Sequence, residues 1–312
     1  KKLLKWLLDR AQKKESSVSQ NKQYAAEIIA ILAQAANDNR QQLVSMDAVD
    51  TLLQLVSAYR RRDPDRGSEE EEYMENLFEA LVCLVDESTG KDKFVEAEGV
   101  ELCLITMKDG KSARPSALRV LDHASSGEGA LAVCSKIVDA GGLKNIFTLF
   151  MKGRDQRLTE HILVILSNML RVLPGDSAER IRTLAKFVEK QYEKTKKLVN
   201  LRQDYDLRIK RAEQQFRQDN TESEGELFDV ELMSTKLDAG LFTLQLIDTV
   251  LVWLVAEDDG AKRTITSLLA DTDNNLESLA ATLQGQLDGI DEADEKNQDI
   301  RDMLGTLIEL IK

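Results

Sequence analysis

The sequence predicts an all-α fold, a superhelical stack of repeated helical units followed by a helical C-terminal extension, and three observations carry that prediction. Of 312 residues only 3 are Pro and 16 are Gly, and aromatic residues make up 5%. Leu, Ala, Glu, Lys and Gln recur throughout, which is the composition of long helices. A gapless motif returns at a spacing close to the period of about 40 to 47 residues that marks helical solenoids.

The motif reads VSMDAVDTLLQLV at 44–56, VEAEGVELCLITM at 95–107 and VDAGGLKNIFTLF at 138–150. In each, a Val is followed four residues later by Ala48, Gly99 or Gly142, and then by apolar residues spaced 3, 1 and 3. The sets are Val49, Leu52, Leu53, Val56; Val100, Cys103, Leu104, Met107; and Leu143, Ile146, Phe147, Phe150. That spacing lines one stripe of a helix, and the small residue before it permits a sharp entry turn. Leu4, Leu7, Leu8 and Ala11 repeat the stripe, so the periods are 45, 51 and 43 residues. The long middle period contains RRRDPDRGSEEEE at 60–72, where Pro64, Gly67 and clustered charge predict an exposed loop.

Helical stretches at 25–36 and 74–85 precede the stripe helices, with a short segment between that ends at Leu43, Phe94 or Ile137. Each unit therefore has about three helices, the arrangement of armadillo/HEAT-like repeats, and residues 1–175 are assigned to them. One unit cannot bury its stripe alone, so neighbours must stack, with the third helices predicted to line a concave groove suited to peptides. A buried helix at 161–172 ends at Pro174 and Gly175.

Residues 176–312 read as long helices and a C-terminal helical capping region. The stretch 178–219 carries twelve basic and seven acidic residues, which predicts one or two long, exposed helices of net charge +5. An acidic break, TESEGE at 221–226, precedes an apolar helix at 237–256. Two amphipathic helices follow, one with Leu276, Leu279, Ala280, Leu283 and Leu287, the other with Ile300, Met303, Leu304, Leu307, Ile308 and Ile311. Both are predicted to cap the open end of the solenoid.

Composition also bounds function. A net charge of −13 repels phosphate backbones and favours basic partners, so no direct nucleic-acid contact is expected. Cys83, Cys103 and Cys134 form no CxxC and sit among Leu and Val, as buried reduced thiols do in a reducing compartment. No run approaches the roughly 20 apolar residues of a membrane helix; the best, 241–255, is shorter and carries Gln245 and Asp248. The chain opens on Lys1 inside an amphipathic KKLLKWLL, so it reads as a fragment of a longer protein.

No enzyme signature is present. The two histidines, His123 and His161, lie on separate helical segments without a nearby Cys or HxxxH partner, and His123 reads as a packed or hydrogen-bonded structural residue. GxxxxGK[ST], GxSxG and GxGxxG are absent, so no catalytic residue, metal site or cofactor is expected.

Four strings, YMENLFEAL at 73–81, SALRVLDHA at 116–124, GLKNIFTLFMK at 142–152 and KLDAGLF at 236–242, resemble the corresponding segments of the β-catenin-like protein 1 family, and they occur in family order. The resemblance covers nearly the whole chain and weakens after about residue 261. It implies a nuclear armadillo-type scaffold associated with the spliceosome through the nineteen complex. It also implies binding of basic nuclear-localisation-type segments in partners such as the Myb-domain splicing scaffold. Family members carry a charged amino-terminal region, earlier helices and a longer basic connection after the segment matching 150–152, none of which this sequence has.

The electrostatic pattern points to the same kind of partner. Between 69 and 101 twelve acidic residues face two lysines, which would concentrate Lys/Arg-rich peptides. Asp50 and Glu101 each follow the first stripe residue of a third helix, about 100° around it, and are the predicted peptide contacts. Glu69, Glu70, Glu71 and Glu72 are expected to steer the encounter from a flexible exposed loop. An importin-like transport adaptor is the alternative, but its paired Trp and Asn are missing, since Trp6 has Arg10 one turn on. Association with a second copy stays open.

Overall fold

The computed structural model describes residues 2–153, 155–220, 225–291, 294 and 297–311. Among them are seventeen α-helices and no strand. The chain divides into two compact units, Lys1–Arg180 and Ile181–Lys312.

In the first unit α1 (Lys2–Gln12) is a stripe helix, and three three-helix repeats follow it. These are α2 (Gln20–Ala35), α3 (Asn37–Val44) and α4 (Ala48–Val56); α5 (Glu69–Val85), α6 (Ser88–Glu96) and α7 (Gly99–Asp109); and α8 (Arg114–Ala124), α9 (Ala130–Asp139) and α10 (Gly142–Lys152). The long helix α11 (Gln156–Val172) closes the series. Leu53, Leu104 and Phe147, equivalent in register, are all buried.

The turn into each stripe helix has a different origin from the expected one. Left-handed φ falls one residue before the small residue, on Asp47 (56°), Glu98 (57°) and Gly141 (74°). The small residue serves close packing instead: a Cβ on Gly99 would lie 2.3 Å from the Phe94 ring. The loop around Pro64 is also more fixed than expected. Pro64 is buried, and Asp63 accepts hydrogen bonds from the Ser112 backbone at 2.9 Å and hydroxyl at 2.8 Å.

The groove belongs to other helices than those predicted. The long helices pack flank to flank, α2 on α5, α5 on α8 and α8 on α11, whereas α4 and α7 scarcely meet. A stack whose repeats touch along one edge and part along the other curves towards the touching edge. The inner row is therefore α2, α5, α8 and α11, and the stripe helices α4, α7 and α10 form the outer row.

The second unit comprises α12 (Ala178–Asp219), which starts in the first unit's last residues, then α13 (Glu226–Asp238), α14 (Leu241–Glu257), α15 (Asp259–Ala270), α16 (Leu276–Asp288) and α17 (Gln298–Ile311). Helix α12 is broken at 189–192, where Lys190, Gln191 and Tyr192 take φ of 52°, 56° and 62°. It is not simply exposed: Phe187, Leu198, Val199, Tyr205 and Ile209 are buried, as are the basic side chains of Lys194 and Arg202. Arg202 meets Asp248 of α14 at 2.8 Å, with both side chains all but inaccessible. Burial pushes the Asp248 carboxyl up to about 6, against the opposing pull of Arg202.

The apolar helix expected at 237–256 starts at Leu241, because Gly240 turns at φ 102° against the Tyr205 ring. Helices α16 and α17 close on α14 and on each other, so the stripes predicted to cap the repeats find their partners within the second unit. Part of the predicted acidic break, 221–224, lies outside the described residues.

Candidate partner-binding face

The inner row of the first unit carries its polar chemistry in parallel strips. On α5 and its C-cap, Glu72, Glu75, Glu79 and Asp86 are spaced 3, 4 and 7 residues apart, which places them on one side of the helix. Ser68 starts that helix by accepting from the Glu71 backbone N–H at 3.2 Å, while the Glu71 carboxylate accepts from Gly67 N–H at 2.6 Å. The glutamate run thus begins a helix, where carboxylates stabilise the positive end of the helix dipole.

Beside it, α2 turns Tyr24, Ile28 and Ile31 outward, spaced 4 and 3 apart and 41 to 53% exposed. Gln34 of α2 donates to Glu79 Oε1 at 2.8 Å and so ties the two strips together. On the other side Arg119 of α8 grips both Glu79 oxygens, one of them at 3.1 Å. A cleft of about 220 Å³ opens there, lined by Glu75, Phe78, Glu79, Val82, Ser116 and Arg119.

Both histidines are rungs between repeats. His123 Nδ1 lies 2.9 Å from Asp86 Oδ1, joining α8 to α5, and His161 Nδ1 lies 2.6 Å from Asp122 Oδ2, joining α11 to α8. The hydrogen bond that His123 donates to Asp86 raises its pKa above the ordinary value, with burial opposing. Farther along, Asn168 donates to Ser126 Oγ at 2.8 Å.

Glu75 differs from its neighbours. Burial, then the charges of Glu71 and Glu72, push its carboxyl above the usual range. A carboxylate crowded by like charge gains when a cation arrives. A Lys or Arg side chain is an apolar stem with a charged tip, so its stem suits Tyr24, Ile28 and Ile31 while its tip reaches the α5 carboxylates.

The predicted contacts are not all on this face. Asp50 and Glu101 stand on α4 and α7 of the outer row. Glu101 Oε1 is 2.6 Å from Lys136 of α9, so it already holds a cation from the next repeat. Asp50 is exposed and accepts from Gln54 at 2.7 Å. Glu69, Glu70, Glu71 and Glu72 lie in the first turn of α5, not in a loop. Glu70 is engaged by Arg62 at 3.1 Å, and only Glu72 joins the inner strip. Glu75, Glu79, Asp86, Tyr24, Ile28 and Ile31 were missed, although their 3 and 4 spacing within helices could have found them.

Among the described residues no group of three His, Cys, Asp or Glu is placed to hold a metal. The three cysteines are buried, and burial pushes the thiols up, to about 11 at Cys83 and about 12 at Cys134, away from the reactive thiolate.

Residues 1–284 match the family described as "Catenin-beta-like, Arm-motif containing nuclear". A Beta-catenin-like protein 1 homolog of Schizosaccharomyces pombe is 36% identical over 303 residues, 96% of this chain and 52% of its own length. Beta-catenin-like protein 1 of Homo sapiens is 37% identical over 260 residues, 78% of this chain and 46% of its own length. The chain thus spans about half the length of the curated relatives it matches. Among solved structures, a designed armadillo repeat protein aligns with TM-score 0.57 at 13% identity, covering 99% of this chain and 100% of that one. Another, in complex with the peptide (KR)4, aligns with TM-score 0.58 at 15% identity, covering 99% of each chain. These likenesses establish an armadillo-type, all-α solenoid.

Proposed function

Because the chain belongs to the catenin-beta-like, armadillo-motif family, we propose that it is a nuclear, non-catalytic scaffold of pre-mRNA splicing that holds Lys/Arg-rich segments of partner proteins on the α2–α5–α8 face. One observation carries the binding reading: the apolar strip Tyr24, Ile28, Ile31 runs beside the exposed carboxylates Glu72 and Glu75, in a row whose Glu79 and Asp86 are already paired with Arg119 and His123. Stem and tip of a basic side chain are matched together, and several such contacts in series would hold an extended segment.

The family description supplies the nuclear setting, and the Myb-domain splicing scaffold of the nineteen complex is the partner that setting favours. A protein of the same fold in complex with (KR)4 illustrates that the fold accommodates a basic segment. Affinity purification from nuclear extract, with wild type and a Glu72→Lys/Glu75→Lys variant compared by mass spectrometry, tests the proposal. Splicing proteins with Lys/Arg-rich segments should be captured by wild type and depleted on the variant. An identical set on both proteins would remove this face from partner binding, and a set without splicing proteins would overturn the assignment to splicing.

A further inference from the structure

Helix α13 of the second unit carries its apolar face on the outside. Leu227, Val230, Met233 and Leu237 are 46 to 71% exposed, whereas Leu232 is its one buried side chain. At about 100° per residue the exposed four fall within an arc of about 120°. The opposite flank anchors the helix to α12: Phe228 packs on Phe216 with ring centroids 5.2 Å apart, and Arg217 sits 5.9 Å from the Phe228 ring. A contiguous apolar stripe turned to solvent marks an interaction surface.

Its fully exposed charges are acidic. Glu231 and Asp238 lie along one border of the stripe, Asp229 along the other and Glu226 at its first turn. The helix's single cation, Lys236, follows Asp229 along the same border but is half-buried, with Nζ 3.6 Å from Glu213 Oε2. We infer that the outer face of α13 docks a basic amphipathic helix of a partner protein, with apolar residues spaced 3 and 4 apart between Lys or Arg borders. The acidic rim repels the anionic headgroups of a membrane surface. A second copy would set the same carboxylates against each other across a two-fold contact.

The test uses the full chain carrying Glu72→Lys and Glu75→Lys, so that the face on the first unit does not contribute. A labelled amphipathic peptide of about five helical turns, with Leu on one face and Lys borders, is titrated by fluorescence anisotropy beside a twin whose borders are Glu. The Lys peptide should bind about tenfold or more tighter than its twin. Val230→Asp with Leu237→Asp should abolish that binding, and reversing Glu226, Asp229, Glu231 and Asp238 to Lys should make the Glu peptide the tighter ligand. All these positions are exposed, so circular dichroism should be unchanged, and the charge-reversed variant serves if the apolar one does not fold. Equal affinity for the two peptides, or Lys-peptide binding that survives both variants, would overturn the inference. Sedimentation showing self-association abolished by Val230→Asp, or co-sedimentation with phosphatidylserine vesicles abolished by it, would overturn it too, by assigning the face to a second copy or to lipid.

Discussion

His123 joins two repeats through a group that titrates close to neutrality. Its hydrogen bond to Asp86 raises its pKa in the folded state. The stabilisation is therefore complete below the unfolded value of about 6.5 and is lost as pH rises through the higher folded value. The side chain is 34% exposed, so solvent screening keeps the contribution below about 1 kcal/mol. Thermal unfolding of wild type and His123→Gln across that range should show the wild-type advantage shrinking as pH rises. An advantage that is flat or grows with pH would contradict the pairing. The histidine was legible as a hydrogen-bonded structural residue, but its partner was not, because Asp86 lies 37 residues away on another repeat. Asp50 and Glu101 show the same limit. A helical angle places a side chain beside a stripe without saying which row of the solenoid that helix joins, and Lys136 of the next repeat had claimed Glu101.

At the scale of elements, periodicity carried the reading. The stripes of α4, α7 and α10 were found at their correct register because four apolar positions per helix leave no other face to bury. Leu104 tests that register. It is 4% exposed, so Leu104→Asp would bury an unpaired carboxylate at a cost of several kcal/mol, comparable with the ~5 to 15 kcal/mol stability of a whole domain. Circular dichroism and thermal melting should show an unfolded or molten first unit, and a variant with wild-type helicity and a cooperative melt would contradict the register. Other elements left no such trace. The break in α12 falls at Glu189, Lys190, Gln191 and Tyr192, with no Gly or Pro to announce it. Burial of the Arg202 and Asp248 pair turns a basic residue of a stretch read as exposed into core. In α13 the apolar pattern faces outward, so a rule that equates stripe with core points the wrong way.

At the scale of the molecule, a net charge of −13 favours basic partners at long range, and the proposed function assigns their binding to the inner row of long helices. The charge was legible from composition. The row was not, because which edge of a repeat stack touches depends on contacts between helices about 40 to 50 residues apart. The central claim is that the face formed by α2, α5 and α8 receives the basic segment and the outer row does not. Its most direct test is titration of a Lys/Arg-rich peptide against wild type, Glu72→Lys/Glu75→Lys and Asp50→Lys/Glu101→Lys at low and physiological salt. Exposed charge pairs contribute ~0.5 to 1 kcal/mol each, so the first variant should lose about tenfold in affinity and much of the salt dependence. The second should stay within about twofold of wild type, as a rim change far from the contact does. A loss confined to the Asp50 and Glu101 variant, or equal affinity for all three proteins, would contradict the account.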